Sequence, residues 1–288
     1  MRERFYELTR EALDEDERVA VVTAQIGADS IGEHPRHFDV GIREQLMIGV
    51  AAGLALEGYR PIAHSYTPFL VERPWEFLKL DLGHNDLGAV LVSIGASYDA
   101  ARSGRTHQAP EDVALVAALP GWTIHVPGHG AELESLFLRA LDGDDRVYIR
   151  LSQEENHACF DGGGFTVLRR GPCGAPLVVA VGPTLQPVLE ATVDRDVTVA
   201  YLATVRPFPH DALRDALADG TDVVLVEPYL AGTSSPEVAV ALRDRPHRLL
   251  AHGVASAELR RYGTGPEHRA AHGLDAAGIA RSLEEFLG

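Results

Sequence analysis

The 288-residue chain has little cysteine and no long apolar run. Its two cysteines, Cys159 and Cys173, are too few for a small disulfide-stapled fold and do not have the spacing of a metal-ligand motif. The N-terminus is charged and lacks the apolar core of a signal peptide, and every apolar stretch is too short to cross a bilayer. The sequence therefore predicts a cytoplasmic protein in a reducing compartment.

Positive charge is also scarce, because 26 lysines and arginines face 42 aspartates and glutamates, which gives a net charge of −16. So acidic a surface repels nucleic acids and anionic membranes, and we expect neither as a partner. A local cationic pocket for an anionic substrate is still compatible with this charge. The hydrophobic share of 45% and the charged share of 24% are ordinary for a globular protein, which excludes disorder as the dominant state.

Helical and strand patterns alternate along the chain. Residues 44–56 have a helical pattern, for example, and residues 89–94 form a β-branched run typical of a buried strand. Strands that alternate with helices pair in parallel, so the sequence predicts an α/β fold with two parallel-sheet domains. Glycine and proline concentrate in residues 161–176, which predicts a linker between a first domain, residues 1–160, and a second domain, residues 177–288.

The most informative stretch is HFDVGIREQLMIGVAAGLA, residues 37–55. Glu44 falls in the first turn of the predicted helix, where the helix dipole favours an acid, so a purely structural role is one interpretation. Ala51, Ala52 and Gly53 remove bulk from the same helix, which indicates a close approach to another backbone. That approach would place Glu44 near an interface or a cleft.

This stretch resembles the pyrimidine-binding domain of the transketolase family of thiamine-diphosphate enzymes, whose relatives include deoxyxylulose-phosphate synthase and the β subunit of pyruvate dehydrogenase. Further segments resemble the family in the same order along nearly the whole chain. They are GYRPIAHSYTPFL at 58–70, SGRTHQ at 103–108, ATVRPFP at 203–209, VEPYLAG at 226–232 and HGLD at 272–275. The ordered set is more specific than any one of its motifs. It implies that the first domain binds the pyrimidine and that the second is the family's C-terminal domain.

The resemblance implies roles for four side chains near the cofactor. Glu44 would bond the ring nitrogen of the aminopyrimidine and promote the proton shift that activates thiamine diphosphate. Phe69 would stack on that ring, with Tyr66 nearby, although Phe69 can align with either of two aromatic positions in the family. A core phenylalanine is the structural alternative. His107 would hydrogen-bond a hydroxyl or carbonyl oxygen of the substrate and assist proton transfer.

Two predicted substrate positions depart from the family's pattern. Ser103 stands where transketolases usually have an aspartate. Gln153, followed by two glutamates, stands where an arginine helps to bind a sugar phosphate. Acidic neighbours disfavour a phosphate at this place. Arg105, Arg102 and Arg73 are the candidate replacements for the missing charge.

One half of the family's cofactor site has no counterpart in the sequence. The family binds the diphosphate and Mg²⁺ through a Gly-Asp-Gly segment followed by Asn-Asn, and no segment here fits that pattern. We therefore expect no metal ligands in this chain and place those for Mg²⁺ on a partner subunit. The resemblance implies the C-terminal half of a split enzyme. The helix face that is rich in alanine and glycine should pack against its own copy or a partner, so we predict a homodimer that recruits two diphosphate-binding subunits into a heterotetramer.

The leading functional hypothesis is transfer of a two-carbon ketol unit from a ketose donor to an aldehyde acceptor, either of them a sugar or sugar phosphate. A β-type subunit of a thiamine-dependent 2-oxo acid dehydrogenase and a deoxyxylulose-phosphate-synthase-like condensation are the enzymatic alternatives. A non-catalytic assembly subunit is a fourth possibility, which the joint presence of Glu44, Phe69 and His107 disfavours.

Overall fold

The computed structural model describes residues 1–160, 164–258, 260 and 262–288, and it arranges them as two β-sheets flanked by helices. The strands are β1 (Val19–Thr23), β2 (His37–Asp39), β3 (Arg60–Tyr66), β4 (Ala89–Ile94), β5 (Trp122–His125), β6 (Arg146–Arg150), β7 (Phe165–Arg169), β8 (Leu177–Val181), β9 (Thr198–Leu202), β10 (Thr204–Arg206), β11 (Asp222–Leu230) and β12 (Arg248–Val254).

Eleven α-helices lie in the described part of the chain. They are α1 (Arg2–Glu15), α2 (Ala28–Ile31), α3 (Glu44–Leu56), α4 (Trp75–Phe77), α5 (Asp112–Ala117), α6 (Gly130–Asp142), α7 (Leu185–Ala191), α8 (His210–Leu217), α9 (Ser235–Ala241), α10 (Gly265–Ala271) and α11 (Ala276–Leu287). Two segments, Pro68–Glu72 and Leu78–His84, are π-helical, and short 3₁₀ turns span Ala101–Ser103, Arg105–His107 and Gly182–Thr184. Within the described ranges, no helix combines the length and the apolar character needed to cross a membrane.

The first sheet has seven strands in the order β10-β5-β6-β4-β3-β1-β2. All neighbours pair in parallel except β10 and β5, which pair antiparallel. Every residue of β1 and β4 is buried, because helices cover both faces of a parallel sheet. The sequence of each of these strands is therefore almost continuously apolar. The parallel arrangement brings the carboxyl ends of β1, β3, β4 and β6 to one edge.

The second sheet has five strands in the order β12-β11-β8-β9-β7. The strand of this sheet that comes first in the sequence is β7, which lies inside the predicted linker and pairs antiparallel with β9. Residues 161–163 of that linker lie outside the described residues. The chain then returns to the first sheet at β10 before the second sheet is completed by β11 and β12. One strand from the second half of the chain, β10, is therefore part of the first sheet. The predicted two-sheet α/β architecture is confirmed.

A buried ion pair in the first-sheet part of the chain is connected by hydrogen bonds to the second sheet. Arg150, at the end of β6, donates from Nε to Oδ2 of Asp112 at 2.8 Å, and the two side chains are 1% and 0% exposed. Arg150 also donates from Nη2 to Oγ of Ser97 at 2.6 Å, and Ser97 donates to the carbonyl oxygen of Pro228 in β11. Tyr148 donates to the same Asp112 oxygen at 2.7 Å. Both buried charges are thus hydrogen-bonded, which such charges need in a low-dielectric interior.

A buried histidine makes the stability of the first domain depend on pH. The ring of His64 lies between the carbonyl oxygen of Val92, 2.8 Å from Nδ1, and the hydroxyl of Tyr6, 3.2 Å from Nε2. A carbonyl oxygen only accepts, so Nδ1 carries the proton and Nε2 accepts from Tyr6. Burial lowers the pKa of His64 to about 4.

Because that pKa is lowered from about 6.5 in the unfolded chain, the contribution of neutral His64 is present above pH 6.5 and is lost as pH falls from 6.5 towards 4. Between pH 6.5 and pH 4, this effect lowers the unfolding free energy of the wild type by up to about 3 kcal/mol. We expect the His64→Gln variant to lack this loss. Urea unfolding at pH 7.5 and pH 4.5 measures it. Equal losses of unfolding free energy in the wild type and the variant would contradict this assignment.

Candidate active site

The predicted site residues follow strands at the carboxyl edge of the first sheet, where open α/β sheets usually bind their ligands. Glu44 follows β2, Tyr66 ends β3, His107 lies in the segment after β4, and Gln153 lies three residues beyond β6. This placement depends on parallel pairing, which brings loops that are distant in sequence to the same side of the sheet.

Glu44 begins α3, and its carboxylate points towards Arg73. Its side chain is 4% exposed, and Oε1 accepts a hydrogen bond from Nη1 of Arg73 at 2.7 Å. No side-chain capping hydrogen bond forms at the N-terminus of this helix. Ala51 and Ala52 of the same helix are buried in the hydrophobic core, whereas Gly53 is exposed. The small residues therefore lie on two different faces of α3, one buried and one exposed.

Phe69 lies on the π-helical segment that follows β3, a backbone form often found at functional sites. Its ring is almost fully buried, and Cζ of Arg73 lies 3.9 Å from the ring centroid. His107 packs edge-on against Phe69 with ring centroids 4.9 Å apart, and Tyr66 lies 5.6 Å from His107 and 6.2 Å from Phe69. The structure thus brings Phe69, His107 and Tyr66 together and links them to Glu44 through Arg73.

Glycine geometry positions the segment that carries His107. Gly104 has a φ of +74°, and a Cβ there would lie 2.6 Å from Cε1 of Tyr262. The 3₁₀ turn Arg105–His107 follows, with Nδ1 of His107 2.9 Å from the hydroxyl oxygen of Thr106. His107 is half-buried, so one part of the ring packs on Phe69 while another part stays open to a ligand.

Three predicted substrate residues have different surroundings. Ser103 is exposed. Arg105 donates to Oε1 of Glu111 at 2.8 Å and lies 3.4 Å from Glu258, so two carboxylates already neutralise its charge. Gln153 is exposed and shares a cleft of about 380 Å³ with Tyr66. Only Gln153 of these three therefore lines the same cleft as an aromatic site residue within the described chain.

Sequence reasoning missed Asp99, which lies in this cleft. Its Oδ2 accepts the backbone N–H of Gln153 at 2.8 Å, and burial raises the pKa of its carboxyl to about 6. Its position five residues after β4 at the carboxyl edge was the available signal. The contacts of Arg73 with Glu44 and Phe69 were also missed, because the sequence suggests Arg73 only as a phosphate ligand.

A model of the family described as "Transketolase, pyrimidine binding domain" matches residues 1–157. The chain belongs to the transketolase family. It is 48% identical to the "Uncharacterized 33.6 kDa protein in fasciation locus" of Rhodococcoides fascians over 96% of this chain and 91% of that protein. It is 32% identical to a protein of Actinobacillus succinogenes that is named as one subunit of an apulose-4-phosphate transketolase, over 97% of this chain and 94% of that protein.

Longer members of the family match as well. The chain is 32% identical to "1-deoxy-D-xylulose-5-phosphate synthase 2" of Geobacter sulfurreducens, and it spans 46% of that protein's length. A solved structure described as "Split gene transketolase, inactive beta4 tetramer" has a TM-score of 0.82 at 24% identity, with 99% of this chain and 96% of that chain covered. The predicted family is therefore confirmed, and the fold extends over both sheets.

The transketolase family depends on thiamine diphosphate, and the residues present fit its pyrimidine half. The Arg73 guanidinium, a planar group with N–H donors, lies over the Phe69 ring and donates a hydrogen bond to Glu44 at the same time. The spacing of these two side chains therefore suits a planar nitrogen-bearing ring. Across the residues that the structure describes, no group of three or more His, Cys, Asp or Glu side chains could hold a metal ion.

Proposed function

We propose that this chain is the pyrimidine-binding subunit of a split transketolase-like enzyme that transfers a two-carbon ketol unit from a ketose to an aldehyde. The observation that carries the proposal is the arrangement of Glu44 and Phe69 around one planar group, with His107 packed against Phe69. Support also comes from the relative named as a transketolase subunit, which this chain matches along nearly all of its length.

Each site residue has a distinct role in this proposal. Bound thiamine diphosphate supplies an electron sink for cleaving a bond beside a carbonyl. Glu44 holds and exchanges a proton at the pyrimidine ring nitrogen from a site that excludes water. Phe69 orients the ring by stacking, with Tyr66 completing the aromatic wall. His107 presents its ring to an oxygen of the substrate and moves a proton there.

We expect Glu44→Gln to lower turnover of the reconstituted enzyme by roughly 10²- to 10⁴-fold, because the amide keeps the shape of the side chain but cannot exchange the proton. Steady-state kinetics with a ketose donor measures this loss. Glu57→Gln, at the exposed C-terminal end of α3, is the matched control and should leave turnover unchanged. Full turnover in Glu44→Gln would remove the central assignment.

A second candidate, a deoxyxylulose-phosphate-synthase-like condensation, is favoured by the match to the Geobacter sulfurreducens synthase. That reaction, like the reaction of a 2-oxo acid dehydrogenase subunit, starts from a 2-oxo acid and releases CO₂. Ketol transfer from a ketose releases none. A CO₂ assay with pyruvate therefore separates the leading proposal from both alternatives.

The other half of the cofactor site is proposed to lie on a partner. Because this chain contributes the pyrimidine contacts, we assign the diphosphate and Mg²⁺ ligands to a subunit equivalent to the N-terminal half of a whole transketolase. The naming of the Actinobacillus succinogenes relative as one subunit of a transketolase supports this division. Both Cys159 and Cys173 are exposed thiols, which suits the proposed cytoplasmic location.

Self-association is proposed to use the outer face of α3. Leu46 and Leu56 on this face are 48% and 70% exposed, and Ile42 just before the helix is 65% exposed. A Cβ added at Gly53 would meet nothing within 4 Å, so the helix presents an open apolar stripe at which a second helix can approach closely. We propose a homodimer through this stripe, which then recruits two partner subunits into a heterotetramer.

Gly53→Leu tests this dimer. The added side chain points into open space in the single chain, so folding should be retained, whereas it would block a close helix approach. We expect the sedimentation-velocity mass to fall from dimer to monomer, with Gly53→Ala showing a smaller effect. A wild type that is monomeric at all concentrations, or a dimer that Gly53→Leu leaves intact, would contradict the proposed interface.

The side chains near Gln153 favour an acceptor without a phosphate. Arg105 is neutralised by Glu111 and Glu258, and Arg150 is buried against Asp112, so neither presents an open charge near Gln153. A charge-assisted phosphate contact contributes about 1.5–3 kcal/mol, or roughly 10- to 150-fold in affinity. Gln153 cannot make such a contact, and Arg2, which lines the same cleft, lies 3.2 Å from Glu3, so we infer only a weak preference for phosphorylated acceptors.

We expect the reconstituted enzyme to prefer a phosphorylated acceptor by less than about tenfold in kcat/KM over its unphosphorylated match. Gln153→Arg should raise the preference for the phosphorylated acceptor by roughly tenfold or more. The Actinobacillus succinogenes relative is named for a phosphorylated sugar, so the wild-type comparison is decisive. A preference above tenfold in the wild type would show that another cation binds the phosphate.

A further inference from the structure

Arg73 occupies the space between the two residues assigned to the pyrimidine. Its guanidinium lies 3.9 Å above the centroid of Phe69 and donates to Oε1 of Glu44 at 2.7 Å. Arg73 follows Phe69 by four residues in helical backbone, so the two side chains lie on the same face of the segment. The same contact makes Arg73 the ion-pair partner of the buried Glu44 carboxylate.

The guanidinium makes both contacts that the proposed function gives to the aminopyrimidine. It is planar, it stacks on aromatic rings, and it presents N–H groups in its own plane. A planar group that lies on this face of Phe69 can also hydrogen-bond Glu44, because the guanidinium itself makes both contacts. A pyrimidine ring that stacks on Phe69 and bonds Glu44 must therefore take the volume now held by the guanidinium.

We propose that Arg73 is an internal competitor of the cofactor, which fills the pyrimidine site of this subunit until thiamine diphosphate displaces it. The inference rests on the proposed function, because it takes the Phe69–Glu44 pair as the pyrimidine site. Arg73 neutralises a carboxylate that would otherwise be buried without a counter-charge. It also covers an aromatic face that would otherwise be open to water.

The surroundings of Arg73 allow its side chain to leave while its backbone stays. Its N–H donates to the carbonyl oxygen of Pro68 at 3.1 Å, and its carbonyl oxygen accepts from Nε2 of Gln45 at 3.3 Å. The side chain is 43% exposed, so rotation about its own bonds carries the guanidinium to solvent. Displacement therefore needs no change in the π-helical segment that holds Phe69.

The experiment measures the affinity of thiamine diphosphate for the complex with the partner subunit in the presence of Mg²⁺, by titration calorimetry. Arg73→Ala removes the competitor, so we expect binding roughly tenfold tighter than in the wild type. Arg73→Lys keeps a positive charge near Glu44 but loses the planar face that covers Phe69, and its affinity should fall between the two. Arg281→Ala, at an exposed position of α11, removes the same charge elsewhere and should leave the affinity unchanged.

Two further variants separate failure of this inference from failure of the proposed function. Glu44→Gln and Phe69→Ala should both weaken binding if the pyrimidine lies between them, and binding that survives both changes would overturn the proposed function itself. If those two variants weaken binding while Arg73→Ala fails to tighten it, or weakens it, Arg73 is not a competitor. Thermal unfolding of the Arg73 variants without cofactor shows that each is folded before its affinity is compared.

Discussion

The buried ion pair between Arg150 and Asp112 is the contact on which the geometry of the site depends. It joins the end of β6 to the start of α5, and through Ser97 it reaches the backbone of β11 in the second sheet. The segment that carries His107 runs between these anchors, from Ser97 to Asp112. Removing one partner of such a pair leaves an uncompensated buried charge and typically costs about 3–5 kcal/mol. The position of His107 is therefore set by contacts far from the ring itself.

The same edge of the first sheet explains why the site lies near the junction of the two sheets. Loops after β2, β3, β4 and β6 converge there because their strands are parallel. The cleft that contains Tyr66, Asp99 and Gln153 opens beside this edge. Glu44 and Phe69 are buried, whereas His107 is half-buried and Gln153 is exposed, so exposure to solvent increases across the candidate site.

Much of the fold could be predicted from the sequence, because buried parallel strands are continuous apolar runs. The predicted helix over residues 44–56 and the predicted strand over residues 89–94 have the bounds that the structure shows. The glycine-rich segment that contains β7 was predicted as a linker, so this strand was missed. The three residues Thr204–Arg206 do not by themselves indicate that β10 joins the first sheet, because so short a strand forms only by pairing with β5. Likewise, the π-helical turn at Phe69 depends on packing rather than on propensity.

The site was predictable to the extent that it depends on motifs. The family resemblance supplied Glu44, Tyr66, Phe69 and His107, and the structure places them near one another. The ion pair of Arg73 and the hydrogen bond of the half-buried Asp99 carboxyl were not predictable, since each depends on groups that meet only after folding. The neutralisation of Arg105 by two glutamates has the same origin, because Glu258 is distant in sequence.

We propose that Glu44 and Phe69 hold the aminopyrimidine of thiamine diphosphate. A crystal structure of the complex of this chain with its partner subunit, Mg²⁺ and thiamine diphosphate is the decisive test. We expect the pyrimidine ring to stack on Phe69, with a ring nitrogen about 3 Å from the Glu44 carboxylate. A pyrimidine bound elsewhere, with Glu44 still paired to Arg73, would contradict it.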